Sequence, residues 1–151
     1  MPSAPFHRIL VGWDASPAAR HALTVAITIA DGDGIVIAHA VLTPSPHTET
    51  HGGQTRDLKS QRDWLQEQFD TALLATGTHG ARVRLEWGES DTIPEDLHAC
   101  AHQHGCDLIV IGRHGGDSHL RTSGLGPVAT SLVQSTLTPV LLVSPPAIET
   151  P

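Results

Sequence analysis

The sequence predicts an α/β domain in which five parallel strands form a doubly wound sheet with helices on both faces. First, short apolar runs without alternation recur along the chain, as at residues 108–111, and this pattern is typical of strands buried on both faces. Second, a segment with helical spacing separates each strand from the next, so strands and helices alternate. Because crossovers between parallel strands are right-handed, the alternation indicates one sheet between two helical layers.

Five strands and four helices are predicted to alternate along the chain, which begins and ends with a strand. The strands are predicted at residues 8–12, 35–42, 81–87, 107–111 and 139–143, where apolar and β-branched residues cluster. The helices are predicted at residues 17–30, 57–76, 94–104 and 127–137, where apolar residues recur at helical spacing.

Local signals mark the ends of the helices. Ser16 is a favoured N-cap residue, and Pro17 suits the first position of a helix because its missing N–H has no partner there. Gly105 is expected to stop the third helix, and Pro127 to start the fourth. The second helix is predicted to contact the core through Leu58, Trp64, Leu65, Phe69, Leu73 and Leu74.

The chain of 151 residues is long enough for one domain with a full core, and we interpret residues 1–151 as a single domain. The segment 43–56 is polar and rich in proline and glycine, so it is predicted to be a mobile loop. Residues 144–151 are predicted to form a flexible tail. The apolar runs have the length of strands, so a membrane-spanning helix is not expected.

Composition and charge narrow the class of protein. The N-terminus lacks a charged region followed by a long apolar one, which favours the cytoplasm over secretion. The net charge is −7 and Lys59 is the single lysine, so a nucleic-acid partner is not expected. Cys100 and Cys106 do not form a CxxC pair, and we interpret both as structural thiols.

The segment that follows the fourth strand has the composition of a phosphate-binding loop. Gly112, Gly115 and Gly116 allow close approach of backbone N–H groups, and a helix opens at Gly126 with its positive end towards the loop. Ligands of doubly wound sheets bind beyond the carboxyl ends of the strands, where the strand order reverses. The chain has neither the P-loop motif nor the dinucleotide GxGxxG after its first strand.

Four stretches of the chain together resemble the universal stress protein family. Residues 9–16 resemble the family's first strand, its aspartate and its turn, and the pair His39 and Ala40 matches the end of its second strand. Residues 106–115 resemble the fourth strand and glycine loop, and residues 126–143 the last helix and strand. The resemblance implies an adenine nucleotide alpha hydrolase-like sheet with strand order 3-2-1-4-5.

The resemblance further implies that the chain binds ATP, together with magnesium, and that it forms a homodimer through the last strand, Val140 to Val143. It implies a regulatory module of the stress response that binds nucleotide and acts through dimerisation, without efficient catalysis, although slow ATP hydrolysis is compatible with it. The implied nucleotide contacts are Gly12, Trp13, Asp14, Ala40, Ile111, Gly112, Arg113, His114, Gly115, Gly126, Pro127 and Val128.

The sequence departs twice from the motif of the ATP-binding branch of that family. That motif has Gly, two residues, Gly, nine residues, and then Gly followed by Ser or Thr. Here ten residues separate Gly115 from Gly126, and Pro127 stands where the hydroxyl residue is expected. Proline lacks both the hydroxyl and the backbone N–H that would donate to a phosphate oxygen. The alternative is therefore an ATP-free dimer that acts through protein contacts alone.

Several of these residues have a second interpretation. Asp14 is either a nucleotide contact or a turn residue at the helix entry, and Trp13 either stacks on a base or fills the pocket. His114 either faces the ligand or is a solvated loop residue. His98 and His102 have the spacing of metal ligands on a helix, but no carboxylate motif accompanies them, so we predict no metal site.

Overall fold

A computed structural model of the 151-residue chain describes residues 6–30, 32–43, 50–51, 54–55, 57–77, 80–113 and 125–145. The strands are β1 (Arg8–Gly12), β2 (Ile35–Leu42), β3 (Thr50–His51), β4 (Gln54–Thr55), β5 (Arg82–Glu89), β6 (Leu108–Gly112) and β7 (Val140–Val143). The helices are α1 (Pro17–Ala30), α2 (Leu58–Ala75), α3 (Ile93–Gln103) and α4 (Pro127–Ser135).

The main sheet has five parallel strands in the order β5-β2-β1-β6-β7. When the long strands are counted along the chain, this is the order 3-2-1-4-5, so the predicted fold class is confirmed. The order reverses between β1 and β6, since the chain builds outwards from β1 to one side and then returns to the other. A crevice is expected at this reversal, beyond the carboxyl ends of both strands.

Each face of the sheet packs on its own pair of helices. Alternate residues of the central strands, such as Val11, contact α1 and α2, whereas Leu10 and its equivalents contact α3 and α4. Period-two alternation of strand side chains therefore divides the core into two layers. The central strands read as continuous apolar runs because both of their faces are buried.

The segment 43–56 contains structure that the sequence did not predict. In its described part, Thr50–His51 pairs with Gln54–Thr55 in a short antiparallel ladder. Residues 44–49, 52–53 and 56 lie outside the described residues, so the predicted mobility of this loop remains a prediction. The same holds for the predicted tail, of which the structure describes residues 144 and 145.

One predicted core contact is wrong. Leu74 is 83% exposed, whereas its neighbour Leu73 packs against the core. Successive residues of a helix point about 100° apart, so two adjacent leucines at the edge of an apolar stripe rarely both face inwards. The other five predicted contacts of α2 pack in or against the layer formed with α1.

The predicted helix ends agree closely with the structure. Ser16 accepts a hydrogen bond from the Ala19 N–H at 3.1 Å, as an N-cap should. Asp57 caps α2 by accepting from the Ser60 N–H at 2.7 Å, and this bond lowers the pKa of its carboxyl group. Gly105 follows α3 with φ of 63°, a conformation that favours glycine.

Both cysteine thiols are free and lie in the layer formed by α3 and α4. Burial raises the pKa of Cys100 to about 12 and that of Cys106 to about 11. Because the thiolate is the reactive form, both side chains are held in their inert state. Because the folded state holds these protons more tightly than the unfolded chain does, stability is unaffected below the ordinary thiol value of 9.0 and is expected to fall as the pH rises above it towards 11 and 12.

Candidate functional site

A crevice opens where the strand order reverses, at the carboxyl ends of β1, β2 and β6. Most of its wall is apolar, with a few polar side chains set into it. Among the described residues it is lined by Gly12, Trp13, Asp14, Ser16, Ala19, His39, Val41, Ile93, Leu97, Ile111, Gly112, Arg113, Gly126, Val128 and Ala129. An apolar cleft with convergent polar groups is the usual form of a small-molecule site.

The turn between β1 and α1 is held by two side chains. Asp14 Oδ1 accepts a hydrogen bond from the Ser16 N–H at 2.9 Å, and Ser16 in turn caps α1. Ala15, between them, has φ of 64°, which is unusual for a residue with a Cβ and costs about 1–2 kcal/mol. Strained backbone of this kind clusters at functional sites, and no sequence signal pointed to Ala15.

Trp13 closes one end of the crevice from the side of α2. Its side chain is 3% exposed, and its ring packs edge-on against Phe69 with a centroid distance of 5.5 Å. The indole N–H donates to the Leu65 carbonyl at 3.1 Å. These contacts support the interpretation in which the indole fills the pocket, since its polar atom is already bonded within the core.

Arg113, directly after β6, joins this strand to the end of β7 and to the start of α4. The Arg113 N–H donates to the Val143 carbonyl at 2.9 Å, and its carbonyl accepts from the Gly126 N–H at 2.6 Å. Its guanidinium also donates to Ser144 Oγ at 3.2 Å. Arg113 and Gly126 are therefore adjacent across the crevice. The predicted contacts His114 and Gly115 lie outside the described residues.

The amino end of α4 forms the opposite rim of the crevice. Gly126 is its N-cap with φ of −71° and ψ of 169°, it makes no side-chain capping bond, and Pro127 occupies the first helical turn. The amides of Val128 and Ala129 precede the first residue that bonds within the helix, Thr130. They therefore carry the partial positive charge of the helix end. Pro127 does not itself line the crevice.

Ala40, whose backbone contact with adenine remains a prediction, is followed by a residue that lines the crevice. Ala40 is fully buried in the layer of α1 and α2 and does not line the crevice, whereas Val41 does. The His39 carbonyl accepts from the Trp13 N–H at 2.9 Å, so it points towards β1. Successive peptide groups of a strand point to opposite sides, so those of Val41, two residues on, also point towards β1. The pairing of β1 with β2 ends at Gly12 and His39, so the peptide groups of Val41 lie beyond it.

The sequence also missed an imidazole in the crevice. His39 lies on the opposite face from Ala40 and is 6% exposed. Its Nε2 is 2.7 Å from Asp96 Oδ2, and its Nδ1 is buried without a hydrogen-bond partner among the described residues. A histidine inside an apolar strand was the available signal. Ile93 and Leu97, from the same helix as Asp96, complete this side of the wall.

The histidine pair on α3 is not arranged as a metal site. The Nδ1 of His98 is 3.0 Å from Thr136 Oγ1, a bond that links α3 to the end of α4. Across the described ranges, no three histidine, cysteine or carboxylate side chains are grouped so as to hold a metal ion. Among the helices of the same ranges, none has the length and apolar composition needed to cross a membrane.

A five-stranded parallel sheet with a crevice at the reversal of strand order defines a doubly wound α/β protein, and in such proteins this crevice is the usual place for a ligand. Residues 5–144 match the model of the universal stress protein family, and the chain belongs to that family. The resemblance seen in the sequence is thereby confirmed. No curated protein matches the chain significantly.

Solved structures with a similar fold include members of this family from bacteria, archaea and plants. A family protein from Burkholderia pseudomallei is 25% identical, with a TM-score of 0.63 over 96% of this chain and 100% of that one. The protein from Archaeoglobus fulgidus in complex with dAMP is 22% identical, with a TM-score of 0.60 over 91% and 97%. One from Arabidopsis thaliana with AMP bound is 16% identical, with a TM-score of 0.60 over 96% and 96%.

Proposed function

We propose that this protein is a nucleotide-binding regulatory module that holds an adenine nucleotide, ATP or AMP, in the crevice. The observation that carries the proposal is the amino end of α4 at the crevice rim, where Val128 and Ala129 line the crevice and the helix end carries a partial positive charge that favours an anion. Arg113 adds a positive charge at the same rim. Further support comes from the family relatives that bind AMP and dAMP.

The base would lie at the other end of the crevice, against β2 and α3. Val41 offers peptide groups on the open side of β1, and the side chains of Ile93 and Leu97 offer apolar contact to a planar ring. Asp14 lies between the two ends and suits the ribose hydroxyls as an acceptor. Magnesium would enter with the phosphates of ATP. The proposal therefore assigns Val41 to the base, Asp14 to the ribose and the amino end of α4 to the phosphates.

The proposed activity is binding, without efficient catalysis. Among the described crevice residues, Ser16 Oγ is engaged as the cap of α1, and His39 Nε2 is engaged by Asp96. Neither forms the nucleophile and base pair that covalent hydrolysis uses. Nucleotide binding would therefore act by biasing one conformation or one assembly over another.

Replacing Gly126 by aspartate is expected to abolish nucleotide binding while the protein stays folded. Aspartate is a favoured N-cap residue, and the backbone angles of Gly126 suit any side chain, so α4 should not be destabilised. Its carboxylate would occupy the anion site and repel phosphate. Calorimetric titration with Mg-ATP and with AMP is expected to give micromolar Kd values for the wild type and no measurable heat for the variant.

Gly126→Ser is the matched control, since it supplies an N-cap hydroxyl without a charge, and it should bind nucleotide as the wild type does. Wild-type affinity in Gly126→Asp would show that the phosphates do not lie at α4. Absence of heat from the wild type up to millimolar nucleotide would overturn the proposal and favour the nucleotide-free module.

We further propose that the protein forms a homodimer through β7. In the described sheet, β7 is an edge strand of four apolar residues, and Leu141 on it is 37% exposed. Leu137, between α4 and this strand, is 100% exposed, and Val133 of α4 is 40% exposed. The other edge, β5, carries charged residues that oppose such pairing: Arg82, Arg84, Glu86 and Glu89. An uncharged apolar edge is a hazard unless a partner covers it.

Leu141→Lys is expected to convert the dimer to a monomer, because the lysine would place two like charges across the twofold interface. Sedimentation velocity should report half the molecular mass of the wild type. Leu74→Lys is the matched control, because Leu74 is also an exposed leucine, at 83%, but lies on α2, which contacts β2. A monomeric wild type, or a dimer that survives Leu141→Lys, would contradict the β7 interface.

A further inference from the structure

The bond between His39 and Asp96 joins the end of β2 to the first turn of α3. The short distance of 2.7 Å and the carboxylate acceptor indicate that Nε2 carries the proton and donates it. His39 is largely shielded from water and Asp96 is 27% exposed, so the bond is stronger than it would be in solvent. Such a bond fixes both the imidazole ring and the helix turn that bears the carboxylate.

The strand beside this pair is shaped to admit it. Gly88 of β5 lies against the bonded atoms of both side chains. A Cβ at this position would overlap Asp96 Oδ2 and lie 2.8 Å from His39 Nε2. Glycine weakens the interior of a strand, and it often marks a point of close approach. Here the hydrogen-bonded pair makes the close approach, so residues of β2, β5 and α3 pack together at this point.

The bond acts together with the packing of Leu97, which is 2% exposed, in holding the same turn of α3 against β2. Thr92, the N-cap of α3, makes no side-chain capping bond to the helix. Ile93 and Leu97 extend from this turn into the crevice wall. A shift of the turn away from β2 would widen the crevice at the end proposed for the base.

We propose that the His39–Asp96 pair is a positioning element that sets the width of the crevice between β2 and α3, and thereby the affinity for the base and ribose of the nucleotide. The inference rests on the proposed function, which it deepens by assigning control of affinity to two residues outside the phosphate rim. The pair acts through Ile93 and Leu97, whose contact with the base it holds in place.

The test compares AMP binding and stability in variants of one helix turn. Asp96→Ala is expected to weaken AMP binding by about tenfold, because the wall loses its anchor. Glu95→Ala is the matched control, since this exposed neighbour carries the same charge and is not part of the pair, and its affinity should stay within about twofold of the wild type. Calorimetry gives the Kd, and urea denaturation gives the stability of each variant.

Asp96→Asn separates positioning from charge. Its amide oxygen can still accept from His39 Nε2, so AMP binding should be restored to within about threefold of the wild type. Ile93→Ala trims the wall without touching the pair and should also weaken binding, which tests the same mechanism if Asp96→Ala does not fold.

Three outcomes would overturn the inference. A folded Asp96→Ala variant that binds AMP like the wild type would show that the pair serves stability alone. A folded Asp96→Asn variant as weak as Asp96→Ala would show that charge, not position, matters. Failure of the wild type to bind AMP would remove the proposed function and this inference together. The titration of the wild type shows this before any variant is measured.

Discussion

Leu132→Ala is expected to lower the free energy of unfolding by about 3 kcal/mol, within the usual range of 2–5 kcal/mol for a buried leucine. Leu132 has no solvent exposure, and α4 buries only this residue and Ala129. The helix is nine residues long and would be unstable by itself, so its position depends on tertiary contacts, among which Leu132 is the largest fully buried side chain of the helix. Urea denaturation monitored by circular dichroism measures the change.

Val133→Ala is the control for this prediction, because Val133 is the next residue on the same helix and is 40% exposed. It should cost less than about 1 kcal/mol, since its side chain is already partly in contact with water and the substitution removes only two methyl groups. Equal effects of the two substitutions would indicate that α4 is buried through a different face from the one described.

Pro127→Ser is expected to strengthen ATP binding by about 30-fold, which corresponds to about 2 kcal/mol from one restored hydrogen bond to a charged phosphate. The substitution supplies an N–H and a hydroxyl at the first turn of α4, where the ATP-binding motif of the family has Ser or Thr. Stability should fall by less than about 1 kcal/mol, because serine leaves the unfolded chain more freedom than proline does. Calorimetry with Mg-ATP measures the gain.

Pro127→Ala restores the N–H without the hydroxyl and is the matched control. A gain in both variants would assign the effect to the backbone donor, and a gain in serine alone would assign it to the side chain. Unchanged affinity in both would show that position 127 does not face the phosphates, and the effect of the proline on ATP binding predicted from the sequence would then be wrong.

The order and type of the main elements were predictable because each depends on local pattern. The continuous apolar runs of the central strands reflect burial on both faces, and Ser16, Pro17 and Gly105 mark helix ends by their own backbone chemistry. Pro127 begins α4, as its position in the sequence predicted. The strand order required the family resemblance, since no local signal states which strands are neighbours.

The candidate site was only partly predictable. Gly12, Asp14 and Gly126 follow strand ends or open helices, so the topology brings them together. The contact of His39 with Asp96 joins residues 57 apart in sequence, and local residue spacing does not predict such a pair. That Val41 lines the crevice and Ala40 does not depends on which way successive residues of β2 face, and residue type does not reveal this.

The hydrogen bond between the Arg113 carbonyl and the Gly126 N–H also bears on the one-residue length difference from the family motif. It brings the two ends of the connection together whatever number of residues lies between them. The entropy cost of closing a chain grows with the logarithm of its length, so one additional residue in about a dozen adds less than about 0.1 kcal/mol. The length of this connection can therefore vary almost without a cost in stability, whereas a single donor at the helix end is expected to change ATP affinity by about 30-fold.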